Sequence, residues 1–151
     1  MEAAERTEYV RYKIEQAREV WEEAECLYAA GKYRGCASRA YFSVYRAVVA
    51  ALVAGGVQIA ARSPRHSQAL GQFNRLYVRS GQLPRELGRF LHDLEDLRVR
   101  ADYRDRPLGR DDVCELMEKG RAYLDLITRF AMELMGTGAC EHSEDLGSGS
   151  T

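Results

Sequence analysis

Two short polar signatures interrupt otherwise apolar helical runs in this chain: Ser38-Arg39-Ala40-Tyr41-Phe42, and Leu97-Arg98-Val99-Arg100-Ala101-Asp102-Tyr103. An arginine sunk into such a run is costly unless it is paired or bonded, so the clusters mark either a polar lock between helices or a groove that binds something. In the later cluster Glu95, Arg98 and Asp102 stand three and four residues apart and share one face of a helix. An arginine held between two carboxylates is positioned. Its fork can grip a phosphate, or it can serve as an ion pair inside a bundle. Tyr103 ends that helix, where its hydroxyl can reach across toward Arg39 and Tyr41, so Arg39, Tyr41, Arg98, Asp102 and Tyr103 are expected to meet. Arg85 and His92, with six residues between them, make a second basic spacing, one that nineteen arginines and three histidines produce by chance.

Other chemistries lack their residues. Gly55-Gly56 is not followed by the Gly-Lys-Ser of a phosphate loop, and no histidine stands three residues after a glutamate as di-iron bundles require. Cys26, Cys36, Cys114 and Cys140 show no Cys-x-x-Cys spacing, and Cys140 with His142 offers two ligands where a metal needs more. No cofactor and no metal are expected.

Net charge is −1, but its distribution is uneven: residues 1–33 carry −3, residues 34–110 carry +8 and residues 111–151 carry −6. The arginine-rich middle can face an anionic partner such as RNA, a nucleotide or an acidic protein surface, or it can pair with the acidic outer segments. Within it Arg39, Arg46, Arg98, Arg100, Arg104 and Arg106 are the candidate binding arginines. A chain of 151 residues, 46% apolar and 30% charged, suits one globular domain. No unbroken apolar stretch reaches the roughly 18 residues of a membrane span, and the acidic start is wrong for a signal peptide, so a cytoplasmic protein without membrane partners is expected.

Helical periodicity supplies the scaffold. Ile14, Ala17, Trp21, Ala24 and Tyr28 predict a helix over 9–30, stopped by Gly31. A second helix over 34–54 is apolar nearly all round in its alanine-rich half, which predicts central burial, and Gly55-Gly56 ends it. Ser63-Pro64 starts a third helix through Tyr77, Pro84 opens a fourth that ends near Asp102, and a fifth runs from about Asp111 to Leu134. With no alternating strand pattern, the expected fold is all-α, an up-and-down bundle of four to five helices over 1–135, with a disordered acidic and Gly-Ser tail over 136–151.

The two signatures, with Tyr28, Gly31, Lys32 and Tyr33 before the first and His66 between them, resemble the HEPN-domain family over about residues 10–135. That resemblance implies a homodimer and, in many members, pairing with a small nucleotidyltransferase as the toxin half of a toxin-antitoxin module. Ribonuclease members carry Arg, four to six residues, then His; the arginine stabilises charge on the phosphorane while the histidine moves the 2′-hydroxyl proton without metal. Here Arg98 followed by four residues reaches Tyr103, a phenol with a pKa near 10 and a poor base at neutral pH. The resemblance therefore implies Arg98, Asp102 and Tyr103 as catalytic candidates with ribonuclease activity in doubt. Arg39, Tyr41, Arg46, His66, Arg100 and Arg104 become binding candidates, and Tyr103 a hydroxyl that a partner enzyme can adenylylate. The alternatives are a non-enzymatic adaptor for a nucleotidyltransferase, or a structural homodimer whose polar clusters only fix helix register.

Overall fold

A computed structural model describes residues 2–58, 66–103 and 106–147. Its elements are α1 (Ala3–Ala29), α2 (Tyr33–Ala54), α3 (His66–Phe73), a π-turn (Asn74–Val78), α4 (Arg85–Asp102) and α5 (Arg110–Gly147), with no strand among the described residues. The fold is the expected all-α bundle.

α1 buries Val10, Ile14, Ala17, Trp21 and Ala24, alternate steps of four and three that keep one stripe facing inward. Gly31, at φ +73°, adopts the left-handed conformation after α1, and the Lys32 amide donates back to the Leu27 carbonyl at 2.8 Å. This is a glycine-based helix stop, and Gly56 at φ +84° repeats it after α2.

α2 is the axis of the molecule and packs against α1, α3, α4 and α5. Ala47, Val48, Ala50, Ala51 and Leu52 are completely buried, which is why the second half of this helix has no polar face. By length and composition it could cross a membrane, but its sides are covered by its own neighbours. Small residues bring α1 and α2 close together: Ala17, Ala40 and Ala47 are fully buried, and the Ser43 hydroxyl donates to the Ala17 carbonyl at 2.5 Å.

Three helix limits differ from expectation. α1 starts at Ala3, six residues early, because nothing in Ala3–Glu8 opposes a helix. The third helix gives way at Phe73 to a π-turn, in which the Arg79 amide reaches the Asn74 carbonyl at 2.8 Å. α5 passes the expected domain limit at 135 and continues to Gly147. Gly136 and Gly138 each cost a helix only about 1 kcal/mol, and no proline follows to end it. Residues 148–151 of the expected tail lie outside the described residues.

Candidate functional site

The polar signatures meet where α2 crosses the C-terminal half of α4. The Arg98 guanidinium lies 4.7 Å from the centre of the Tyr41 ring and 5.6 Å from that of Phe42. Arg46, one turn along α2, approaches the same Phe42 ring at 6.0 Å. A guanidinium over an aromatic face is held by the ring quadrupole, worth about 0.5–1 kcal/mol when exposed and more when desolvated. Tyr41 is buried, stacks on Tyr45 and meets Phe42 edge-on. Burial pushes its hydroxyl up to about 12; Arg98 opposes that rise, while Glu95 and Tyr45 add to it.

The face continues onto α1, where the Lys13 ammonium sits 5.5 Å from the Tyr9 ring centre. Burial and then the nearby Arg46 charge lower the Lys13 pKa, and burial followed by Tyr9 raises that of Tyr45. Tyr9, Lys13, Tyr45, Arg46, Phe42 and Arg98 thus form one surface of alternating rings and cations.

The expected five-residue cluster forms only in part. Arg39 is half exposed and pairs with Glu23 of α1 at 3.3 Å, away from Arg98. It stands two positions from Tyr41, about 200° around a helix, so it faces the opposite way. Such an exposed pair contributes at most about 1 kcal/mol. Among the described residues no carboxylate forms an ion pair with Arg98, so the expected Glu95–Arg98–Asp102 clamp is replaced by stacking on rings. Asp102 is exposed, and Tyr103 keeps 64% of its surface in solvent, so its phenol does not reach across the bundle. Arg100 also leaves the Arg98 side and pairs with Asp112 of α5 at 3.0 Å. Arg104 lies outside the described residues; His66 begins α3, with its side chain likewise outside them. Arg85 and His92 are both exposed, about 10 Å apart along α4, with no hydrogen bond between them.

Arg34 is the residue the sequence reading missed. Its guanidinium donates to the carbonyl of Ala101, to that of Tyr103 at 3.2 Å and to that of Arg106 at 3.1 Å. The last carbonyls of a helix lack partners and carry the negative end of its dipole, so one cation from α2 caps α4 and fixes the segment after it. Arg110 completes the brace at the start of α5, lying 5.8 Å over the Tyr28 ring and donating to its hydroxyl at 3.3 Å. Tyr28 in turn meets Tyr33 edge to face. The one available signal was position: Arg34 directly follows Gly31-Lys32-Tyr33. The brace leaves the Tyr103 phenol outward, beside an open depression of about 350 Å³ bounded by Val99, Arg100 and Arg106.

Comparison with known proteins agrees with this architecture. A family model described as the HEPN domain matches residues 10–130. A protein of Thermotoga maritima named "UPF0332 protein" is 27% identical over 131 residues, covering 86% of this chain and 96% of its own length.

Proposed function

This chain belongs to the HEPN-domain family, and from that premise we propose that it is an RNA-binding component of a toxin-antitoxin or nucleotidyltransferase pair, without metal-free ribonuclease chemistry at the Arg98 position. The observation that carries the reading is the Phe42 ring approached by both Arg46 and Arg98 on a face that also holds Tyr9, Lys13 and Tyr45. Cations interleaved with rings suit a single strand, whose phosphates meet the charge and whose bases stack on the rings or guanidinium planes. The absence of cleavage follows from residue type. No histidine follows Arg98 at the spacing that the ribonuclease members use, and Tyr103 is a phenol turned to solvent.

The test is fluorescence anisotropy with a structureless 5′-hydroxyl RNA. Affinity should fall steeply from tens to hundreds of millimolar salt, and Arg46→Ala with Arg98→Ala should weaken binding about tenfold or more. The same pair should flatten the logarithmic salt slope by about 1.4, two phosphates' share for a single strand. RNA incubated with the protein in EDTA should stay intact. Cleavage lost in His92→Ala would overturn the non-nuclease reading, and salt-insensitive binding would overturn the RNA reading.

A nucleotidyltransferase partner and a homodimer belong to the same proposal. Tyr103 is the acceptor hydroxyl we assign to the partner enzyme, and its exposure beside the Val99–Arg106 depression supports that. If Tyr103 modification is what matters and RNA does not bind, the chain is an adaptor that presents this end of α4. The homodimer rests on the family alone, because the apolar faces of α2 are covered within one chain. Sedimentation at micromolar concentration should give twice the 17.1 kDa chain mass, and a monomer would remove the dimer from the proposal.

A further inference from the structure

Away from the Arg98 face, the Asn74–Val78 π-turn and the first turn of α4 enclose an open cavity of about 650 Å³. Arg89 and Arg98 are nine residues apart, half a turn out of phase at about 3.6 residues per turn, so the two sites lie on opposite sides of α4. Arg79, Arg85 and Arg89 line the cavity together with Asn74 and Gly88, and no carboxylate stands among its described lining residues. A depression of about 580 Å³ continues it past Arg79 to Arg75 and the amides of Gln68 and Gln72.

The glycine and the π-turn build this place. A β-carbon at Gly88 would come within 2.7 Å of the Asn74 Oδ1 and 3.2 Å of the Val78 Cγ1, so the glycine gives these two side chains room to lie against α4. Arg79, whose amide closes the π-turn, borders both depressions. Elsewhere Arg39, Arg100 and Arg121 each find a carboxylate, but among the described residues none of Arg75, Arg79, Arg85 and Arg89 forms an ion pair. Three such cations around one hollow, with Arg75 in the depression beyond, repel each other unless an anion enters. Arg89 also borders the α4–α5 groove, where Glu86 and Asp93 lie, without pairing to either.

We propose that this cavity binds a triphosphate group, carried by a free nucleotide or by the 5′ end of an RNA. Guanidinium forks match phosphate oxygens, and three of them on one cavity suit linked phosphates better than the spaced single charges of a nucleic-acid strand. Among the described residues no aromatic ring lines either depression, so the site we propose grips phosphates and is blind to the base. It is separate from the Phe42 face and does not depend on the RNA proposal.

Titration calorimetry with inorganic tripolyphosphate in about 50 mM salt tests it. Wild type should bind, Arg85→Gln with Arg89→Gln should lose about tenfold or more, and the charge-matched control Arg18→Gln with Arg129→Gln should bind as wild type. All four positions are exposed, so the variants should keep the fold, which circular dichroism verifies. Displacement by ATP assigns the site to free nucleotide, and displacement by 5′-triphosphate RNA alone assigns it to an RNA end. Three results would overturn the proposal: no wild-type binding, equal weakening in the control, or displacement by 5′-hydroxyl RNA as effective as by its 5′-triphosphate form. None of these touches the Arg46 and Arg98 test, which uses 5′-hydroxyl RNA.

Discussion

Arg34→Ala is expected to destabilise the protein by about 3 kcal/mol, more than any other surface arginine. Its guanidinium serves the Ala101, Tyr103 and Arg106 carbonyls together. A hydrogen bond from a charged donor contributes about 1.5–3 kcal/mol, and three sharing one side chain do not add in full. Exposed pairs such as Arg39–Glu23 or Lys119–Glu115 should each lose less than about 1 kcal/mol on truncation. Arg34→Lys keeps the charge but lacks the planar fork that spans several acceptors, so it should recover only part of the loss. Urea denaturation measures the stability, and amide exchange over residues 101–108 shows where the structure opens. A change below about 0.5 kcal/mol, the ordinary surface range, would show that the brace is ornamental.

Gly120→Ala is expected to destabilise by about 2 kcal/mol, against the usual gain of up to 1 kcal/mol when alanine replaces a helical glycine. Gly120 sits in α5 directly on the edge of the Trp21 ring; a β-carbon there would overlap Cη2 and come within 2.9 Å of Cζ2. Trp21 is 1% exposed and among the largest fully buried side chains, so it has nowhere to move. Trp21→Ala alone should cost about 3–5 kcal/mol through the cavity it leaves. In that background Gly120→Ala should become neutral or stabilising, because the methyl then enters empty space. The reversal of sign in a double-mutant cycle is the result to look for, and two costs that simply add would refute the contact as the cause.

The scaffold was legible because helix faces announce themselves locally. Val10, Ile14, Ala17, Trp21 and Ala24 form a stripe that any partner helix must cover, and Gly31 and Gly55-Gly56 mark where the chain turns. Arg98 meeting Tyr41 was legible for the same reason, since each stands on the inward side of an apolar helix. Arg39 was misplaced because being near Tyr41 in sequence is not being on its face. Arg34 was invisible because its partners lie 67 to 72 residues away, and they are backbone carbonyls, which every residue possesses. The Asn74–Val78 π-turn was unreadable too: one extra residue in a turn leaves no mark in an apolar pattern only a few residues long.

The all-round apolarity of the second half of α2 also bears on the order in which the chain folds. A helix with a membrane-like composition is a liability for as long as any of its faces is open to water or to another chain. Its most extensive partner is α1, joined to it by a three-residue connection around Gly31, so one side can close over a short loop at little entropic cost. The opposite side waits for α5, which begins at Arg110, more than fifty residues after α2 ends at Ala54. Until α3, α4 and finally α5 arrive, a nascent α1–α2 hairpin presents its remaining apolar surface to whatever is nearby. The rate at which α5 docks, a non-local step, therefore governs how long the newly made chain is prone to aggregate.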